Sequence, residues 1–210
     1  MVRWDRFFDD LEDQLASEWE AERAALDTEA ERLRLSRVTL RERLNALAER
    51  DRASSAPSFE LIDGTVLKAE VSAVGADWVG LEPAGGFSDS GHSVVPGAVI
   101  APIGAICAIG MPHPDLLRSA RPAASRPTGL SDRMTLGFVL RDLVRRRTAV
   151  AIHITGGRVL TGTIDRAGAD HLDLALHEPG SPRRADAVTG YRVVPFTAIV
   201  WLRLEGPANF

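Results

Sequence analysis

The residues able to ligate zinc through nitrogen or sulfur are few: His92, His113, His153, His171, His177 and the single cysteine, Cys107. No two histidines stand four apart, and no second cysteine joins them, so the spacing of a zinc site is missing. No P-loop or dinucleotide glycine pattern occurs; Gly156-Gly157 reads as a hairpin turn, not a phosphate cradle. No serine sits in a nucleophile elbow. Asp77 and Asp170 occupy matching loop positions, but loop acids are common on any surface. Cys107, set in Ala-Ile-Cys-Ala-Ile, reads as a small buried apolar residue. The expectation is a non-enzymatic protein with no cofactor and no metal.

Residues suited to binding are more frequent. Arg141, Arg145, Arg146 and Arg147 crowd the end of one helical pattern, where positive charge complements the helix dipole. With Arg183 and Arg184 they also form a candidate phosphate-contacting patch. Trp78 and His171 each follow the aspartate of a turn, where a ring can stack on a base or pack in an interface. Trp4, Phe7, Phe8, Leu11, Leu15 and Trp19 gather near the N-terminus and are candidate partner-binding residues.

Charge is unevenly spread. The overall −4 divides into about −8 over residues 1–31, +4 over 32–52, −5 over 53–110 and +5 over 111–210. A polyanion would have to use the C-terminal half. No apolar run reaches the ~18 residues of a membrane span. The N-terminus turns acidic at once and has no apolar signal core, so the expected compartment is the cytoplasm.

The elements that position these residues come from an internal repeat. Arg37-Val38-Thr39-Leu40 resembles Arg133-Met134-Thr135-Leu136. Leu40, Leu44 and Leu47 then match Leu136, Leu140 and Leu143 at helical spacing. Thr39 and Thr135 are the expected N-caps, with Glu42 completing a capping box. Asp63-Gly64-Thr65-Val66-Leu67 aligns with Gly156-Gly157-Arg158-Val159-Leu160 as a hairpin turn entering a strand. Gly75-Ala76-Asp77 aligns with Gly168-Ala169-Asp170 as a second turn. Val94-Val95-Pro96 is set against Val193-Val194-Pro195, leading to Ile100 and Ile199. Each copy reads as a short helix followed by five strands, a pattern that suits a small bent barrel.

The second copy resembles the Sm-like (LSm) family. Gly157, Arg158, Gly162 and Ile164 fit its first motif, and Leu172, Leu174 and Leu176 resemble its third strand. The resemblance implies tandem Sm-like or SH3-like five-stranded barrels, each with a leading helix, and RNA as a ligand class. The family's nucleotide-pocket residues are largely unmatched: its loop aspartate falls at Gly168, and prolines stand where an Arg-Gly pair would be. The family also forms rings through strand edges, and two copies in one chain can pair internally in that way.

The expected organisation is an acidic amphipathic helix in 1–36, one unit in 37–110, a Pro/Ala/Ser-rich linker in 111–131 and a second unit in 132–205. The helix face packs on the chain's own barrels, pairs with a second copy as in a coiled coil, or docks in a partner's groove. The leading function is an adaptor or scaffold that binds protein partners and self-associates through the helix or barrel edges, with no membrane role. The alternatives are an RNA-binding regulator using the basic second unit and a DNA-associated transcriptional regulator. Two separate curled sheets are expected.

Overall fold

The structure is a computed structural model. It describes residues 2–50, 55–84, 87–89, 92–95, 97–121, 129–180 and 183–204; the side chains of 2–10, 13, 87–95 and 131 lie outside that set. The chain divides into two compact units, residues 1–39 and 40–210.

The first unit is one helix, α1 (Val2–Ser36). Neither glycine nor proline occurs before Pro57, and Ala, Leu, Glu and Arg dominate, all good helix formers. Leu11, Leu15, Trp19, Leu26 and Leu33 are exposed. At about 100° per residue they fall within one stripe roughly 80° wide.

The second unit is mainly β. Its strands are β1 (Ser58–Leu61), β2 (Val66–Val74), β3 (Trp78–Pro83), β4 (Phe87–Asp89), β5 (His92–Val95), β6 (Val99–Pro102) and β7 (Ile106–Gly110), then β8 (Ala149–Ile154), β9 (Arg158–Ala167), β10 (His171–Leu176), β11 (Gly190–Pro195) and β12 (Ile199–Leu204). Three helices join them: α2 (Leu40–Ala48), α3 (His113–Ser119) and α4 (Leu136–Arg146). Strands β4 and β5 form a small sheet of their own. The other ten make one antiparallel sheet in the order β11-β10-β9-β8-β12-β6-β3-β2-β1-β7.

The same pairing order occurs twice in that sheet, β6-β3-β2-β1-β7 and β11-β10-β9-β8-β12. Backbone bonds repeat with it at a constant offset of 93 residues. Gly75 N–H donates to Trp78 O at 2.9 Å, and Gly168 N–H to His171 O at 2.8 Å. Ile62 N–H donates to Ala105 O and Thr155 N–H to Ala198 O; Ile103 N–H donates to Asp77 O and Phe196 N–H to Asp170 O. Turn glycines Gly64, Gly156 and Gly157 all have positive φ, the backbone that closes these hairpins.

Four expectations are corrected. The halves do not form separate sheets, because β12 pairs with β6 and carries the hydrogen bonding from one half into the other. The third sequence block is misregistered by six residues. Pro195 corresponds to Pro102, each ending a strand before a 3-10 turn with nearly the same backbone (φ −61°, ψ 142° and φ −56°, ψ 138°). Ile199 therefore matches Ile106, not Ile100; Pro96 lies outside the described residues. The linker 111–131 contains α3, which opens on Pro112-His113-Pro114, prolines being tolerated at a helix start, and buries Asp115 and Ser119. Cys107 is exposed, because β7 is an end strand of the sheet.

Two cores result, and each takes residues from both halves. Trp78 and Ile100 of the first half pack with Leu140, Ile152, Ile164, Leu174 and Leu202 of the second. Val200 and Trp201 of the second pack with Leu44, Phe59, Val79 and Leu81 of the first.

Candidate partner-binding surfaces

The turn between β2 and β3 is built by Gly75, whose missing Cβ leaves room for the Trp78 indole; a Cβ there would stand 2.0 Å from Nε1. The turn sits on the start of α4. Leu136 N–H donates to Asp77 Oδ1 at 2.7 Å, and both Ala76 N–H and Trp78 Nε1–H donate to Met134 O at 2.9 Å. Thr135 is the N-cap residue as expected, but its side chain makes no cap bond, and an aspartate from the other half supplies the oxygen instead. Trp78 is only 1% exposed, which removes it as a base-stacking or partner-binding residue.

His171, the counterpart of Trp78, is exposed, with Nδ1 2.8 Å from Asp170 Oδ1. That hydrogen bond holds the Asp170 carboxyl below its ordinary range. Asp77 and Asp170 thus occupy equivalent turns, one spent on a helix start and one at the surface.

The arginines lie where the helical pattern places them, but several are engaged. Arg145 and Arg146 share Asp142, at 2.7 and 2.6 Å. Arg141 donates to Gly168 O at 3.2 Å. Arg183 forks onto Asp165 with two bonds of 2.6 Å. Arg147 is exposed and ends α4 in the left-handed conformation, at φ 53°, and Arg184 is exposed. Shared carboxylates reduce the positive field that a phosphate would meet. On α1, Trp19 is 72% exposed and Leu11 and Leu15 are exposed, while the side chains of Trp4, Phe7 and Phe8 lie outside the described residues.

Three polar groupings have no local sequence signal. Arg50 joins Glu70 and Asp115 in a largely buried ion triad. Thr163 Oγ1 and His177 Nε2 meet at 2.9 Å, and both residues are buried. Trp201 Nε1–H donates to Asp63 Oδ2 at 3.1 Å, while His153 stacks on the Trp201 ring with centroids 3.5 Å apart. All three join residues distant in the chain or set by strand register, which only the fold brings together. Among the described residues no group of three His, Cys, Asp or Glu is placed to hold a metal, and no helix is long and apolar enough to cross a membrane.

The chain matches no protein-family model, no curated protein and no solved structure.

Asp63 gives a pH prediction. Burial pushes its carboxyl upward, but hydrogen bonds from Thr65 and Trp201 and the nearby His153 outweigh this and leave it lowered from 3.8. A depressed folded pKa contributes stability above the unfolded value and loses it as pH falls through the folded one. Stability should therefore drop on acidification below about 3.8, and Asp63→Asn should flatten that part of the profile. Urea midpoints between neutral pH and pH ~3 check it; an unchanged slope for the variant contradicts the assignment.

Proposed function

We propose that the protein is a non-enzymatic adaptor, built from two Sm-like barrels fused through β12 and β6 and carrying α1 as a docking helix. The observation that carries this reading is the apolar stripe of α1, where Leu15, Trp19, Leu26 and Leu33 all stand exposed on an otherwise acidic helix. Such residues offer the anchors of helix-in-groove recognition. The twice-used strand order and the Gly157-Arg158…Gly162 pattern support the Sm-like assignment. Gly162 supports it further, because a Cβ there would stand 2.0 Å from the Ala175 carbonyl oxygen.

The RNA reading has less support. Its candidate stacking residue Trp78 is buried, and Arg145, Arg146 and Arg183 are held by Asp142 and Asp165.

The two readings separate in one pair of measurements. Trp19→Ala with Leu26→Ala and Leu33→Ala in the full chain should keep the fold by circular dichroism. It should also abolish the partners recovered by cross-linking in cells. Labelled single-stranded RNA titrated at low and high salt should show no salt-steep binding at micromolar protein. Binding that falls steeply with salt, and is lost in the Arg145→Ala, Arg146→Ala, Arg147→Ala chain, would overturn the adaptor reading in favour of RNA.

A further inference from the structure

We propose that two copies of the chain join through α1, antiparallel, with Leu11 of one against Leu33 of the other and Trp19 against Leu26. This rests on the reading of α1 as a docking helix and names its partner as a second copy of the same helix.

The apolar stripe supplies the contact. Leu11, Leu15, Trp19, Leu26 and Leu33 are all exposed, from 44% at Leu11 to 72% at Trp19. Their spacing keeps the stripe in line. Trp4 and Leu15, Phe8 and Trp19, Leu15 and Leu26, and Trp19 and Ala30 each stand eleven positions apart. An eleven-residue repeat has about 3.67 residues per turn, so two such helices stay in contact along their length with a slight right-handed winding. Glu22, eleven positions before Leu33, is a charged interruption of the repeat.

Charge sets the direction and the partner. Residues 9–22 carry seven acids and no base, whereas 32–37 carry Arg32, Arg34 and Arg37 and no acid. Two helices running the same way lay one acidic run along the other, which is repulsive. Running opposite ways, with Trp19 level with Leu26, they bring Asp9, Asp10, Glu12 and Asp13 level with residues 32–36 of the other chain. The same register sets Leu11 within one residue of Leu33, Leu15 level with Ala30 and Glu22 level with Arg23. The overlap covers about 28 residues, or ~42 Å of helix. In the single chain Arg32 and Arg34 meet Glu29 at 3.8 Å and Glu31 at 3.6 Å, long contacts near the surface that an acidic neighbour can replace. A basic groove on another protein would match the acids but set like charge against the three arginines. A copy of α1 matches both ends at once.

Three measurements on the full-length chain test the pairing. Sedimentation from low to high micromolar should show single mass passing to double mass, and Trp19→Ala with Leu26→Ala and Leu33→Ala should hold the chain at single mass. Disulfides report direction: in a Cys107→Ser background, a Leu11→Cys chain mixed with a Leu33→Cys chain should cross-link on mild oxidation, and neither should do so alone. A charge swap reports the ends. Arg32→Glu with Arg34→Glu, and separately Asp9→Arg with Glu12→Arg, should each weaken self-association about tenfold, because each turns attraction into repulsion at both ends of the pair. Mixing those two chains should restore it.

A disulfide formed by the Leu11→Cys chain alone means parallel pairing and overturns the proposal. Double mass that survives the three alanines places self-association elsewhere and also overturns it. Single mass throughout does the same; if cross-linked partners are still recovered with the intact chain and lost with the alanine chain, α1 remains a docking helix for another protein.

Discussion

Replacing Trp78 with alanine should cost about 3–5 kcal/mol of stability, the usual range for emptying a large aromatic site. It should also lower the unfolding of both halves together. The indole is 1% exposed and packs among second-half residues although it belongs to the first half. Its Nε1–H bond to Met134 O is lost as well, leaving that carbonyl with the Ala76 N–H alone. A domain's whole stability is about 5–15 kcal/mol, so this is a large fraction of it. Urea titration followed by circular dichroism and by amide exchange in β1–β3 and β8–β10 checks the effect. The midpoint should fall with little change of slope, and the two strand sets should lose protection at one concentration. Separate transitions, with only one set moved by the substitution, would mean that the cores are independent.

Arg50→Ala should be as severe, by about 3–5 kcal/mol, for an electrostatic reason. The guanidinium reaches Glu70 Oε2 from Nε at 3.0 Å and pairs with Glu70 Oε1 through Nη2. It reaches Asp115 Oδ2 at 3.2 Å and Ser55 O at 3.0 Å through Nη1. One side chain thus ties the end of α2 to β2 and α3. Truncation leaves Glu70 and Asp115 as poorly solvated carboxylates facing each other without their common cation. The thermal midpoint should fall on the order of 10 °C for a unit of this size. Arg50→Lys should recover only part of the loss, since an ammonium cannot fork to both partners. A full recovery by lysine, or a fall of only a degree or two on truncation, would contradict this account.

Much of this arrangement was legible in the residues. The Leu40/Leu136 helices and the Gly64 and Gly157 hairpins stand where their periodicity and turn chemistry put them. So does the pair of Gly-Ala-Asp turns. What failed was whatever depends on partners far away in the chain. Val-Val-Pro recurs at 94–96 and 193–195, and that local likeness outweighed the true match of Pro102 to Pro195, which only the pairing of β6 with β3 reveals. Thr135 had the right residue type for a cap, yet Asp77, 59 residues before Leu136, supplies the oxygen to the Leu136 amide. Cys107 read as interior because its neighbours are apolar; an end strand exposes such residues regardless of their type. Residues 113–119 read as linker because prolines flank them, whereas prolines at a helix start are compatible with α3. The two curled sheets expected from the repeat are one sheet, because β12 and β6 make the internal edge pairing that two copies in one chain allow.

The placement of β12 next to β6 has a consequence for synthesis on the ribosome. The outer edge of β6, residues 99–102, finds its neighbour only in residues 199–204, about 100 residues later and nearly the last described part of the chain. At roughly 5–20 residues per second the nascent first half waits on the order of 5–20 s with that edge and the slot for Trp201 unfilled. The growing polypeptide therefore passes through a stage in which chaperone capture competes with self-closure.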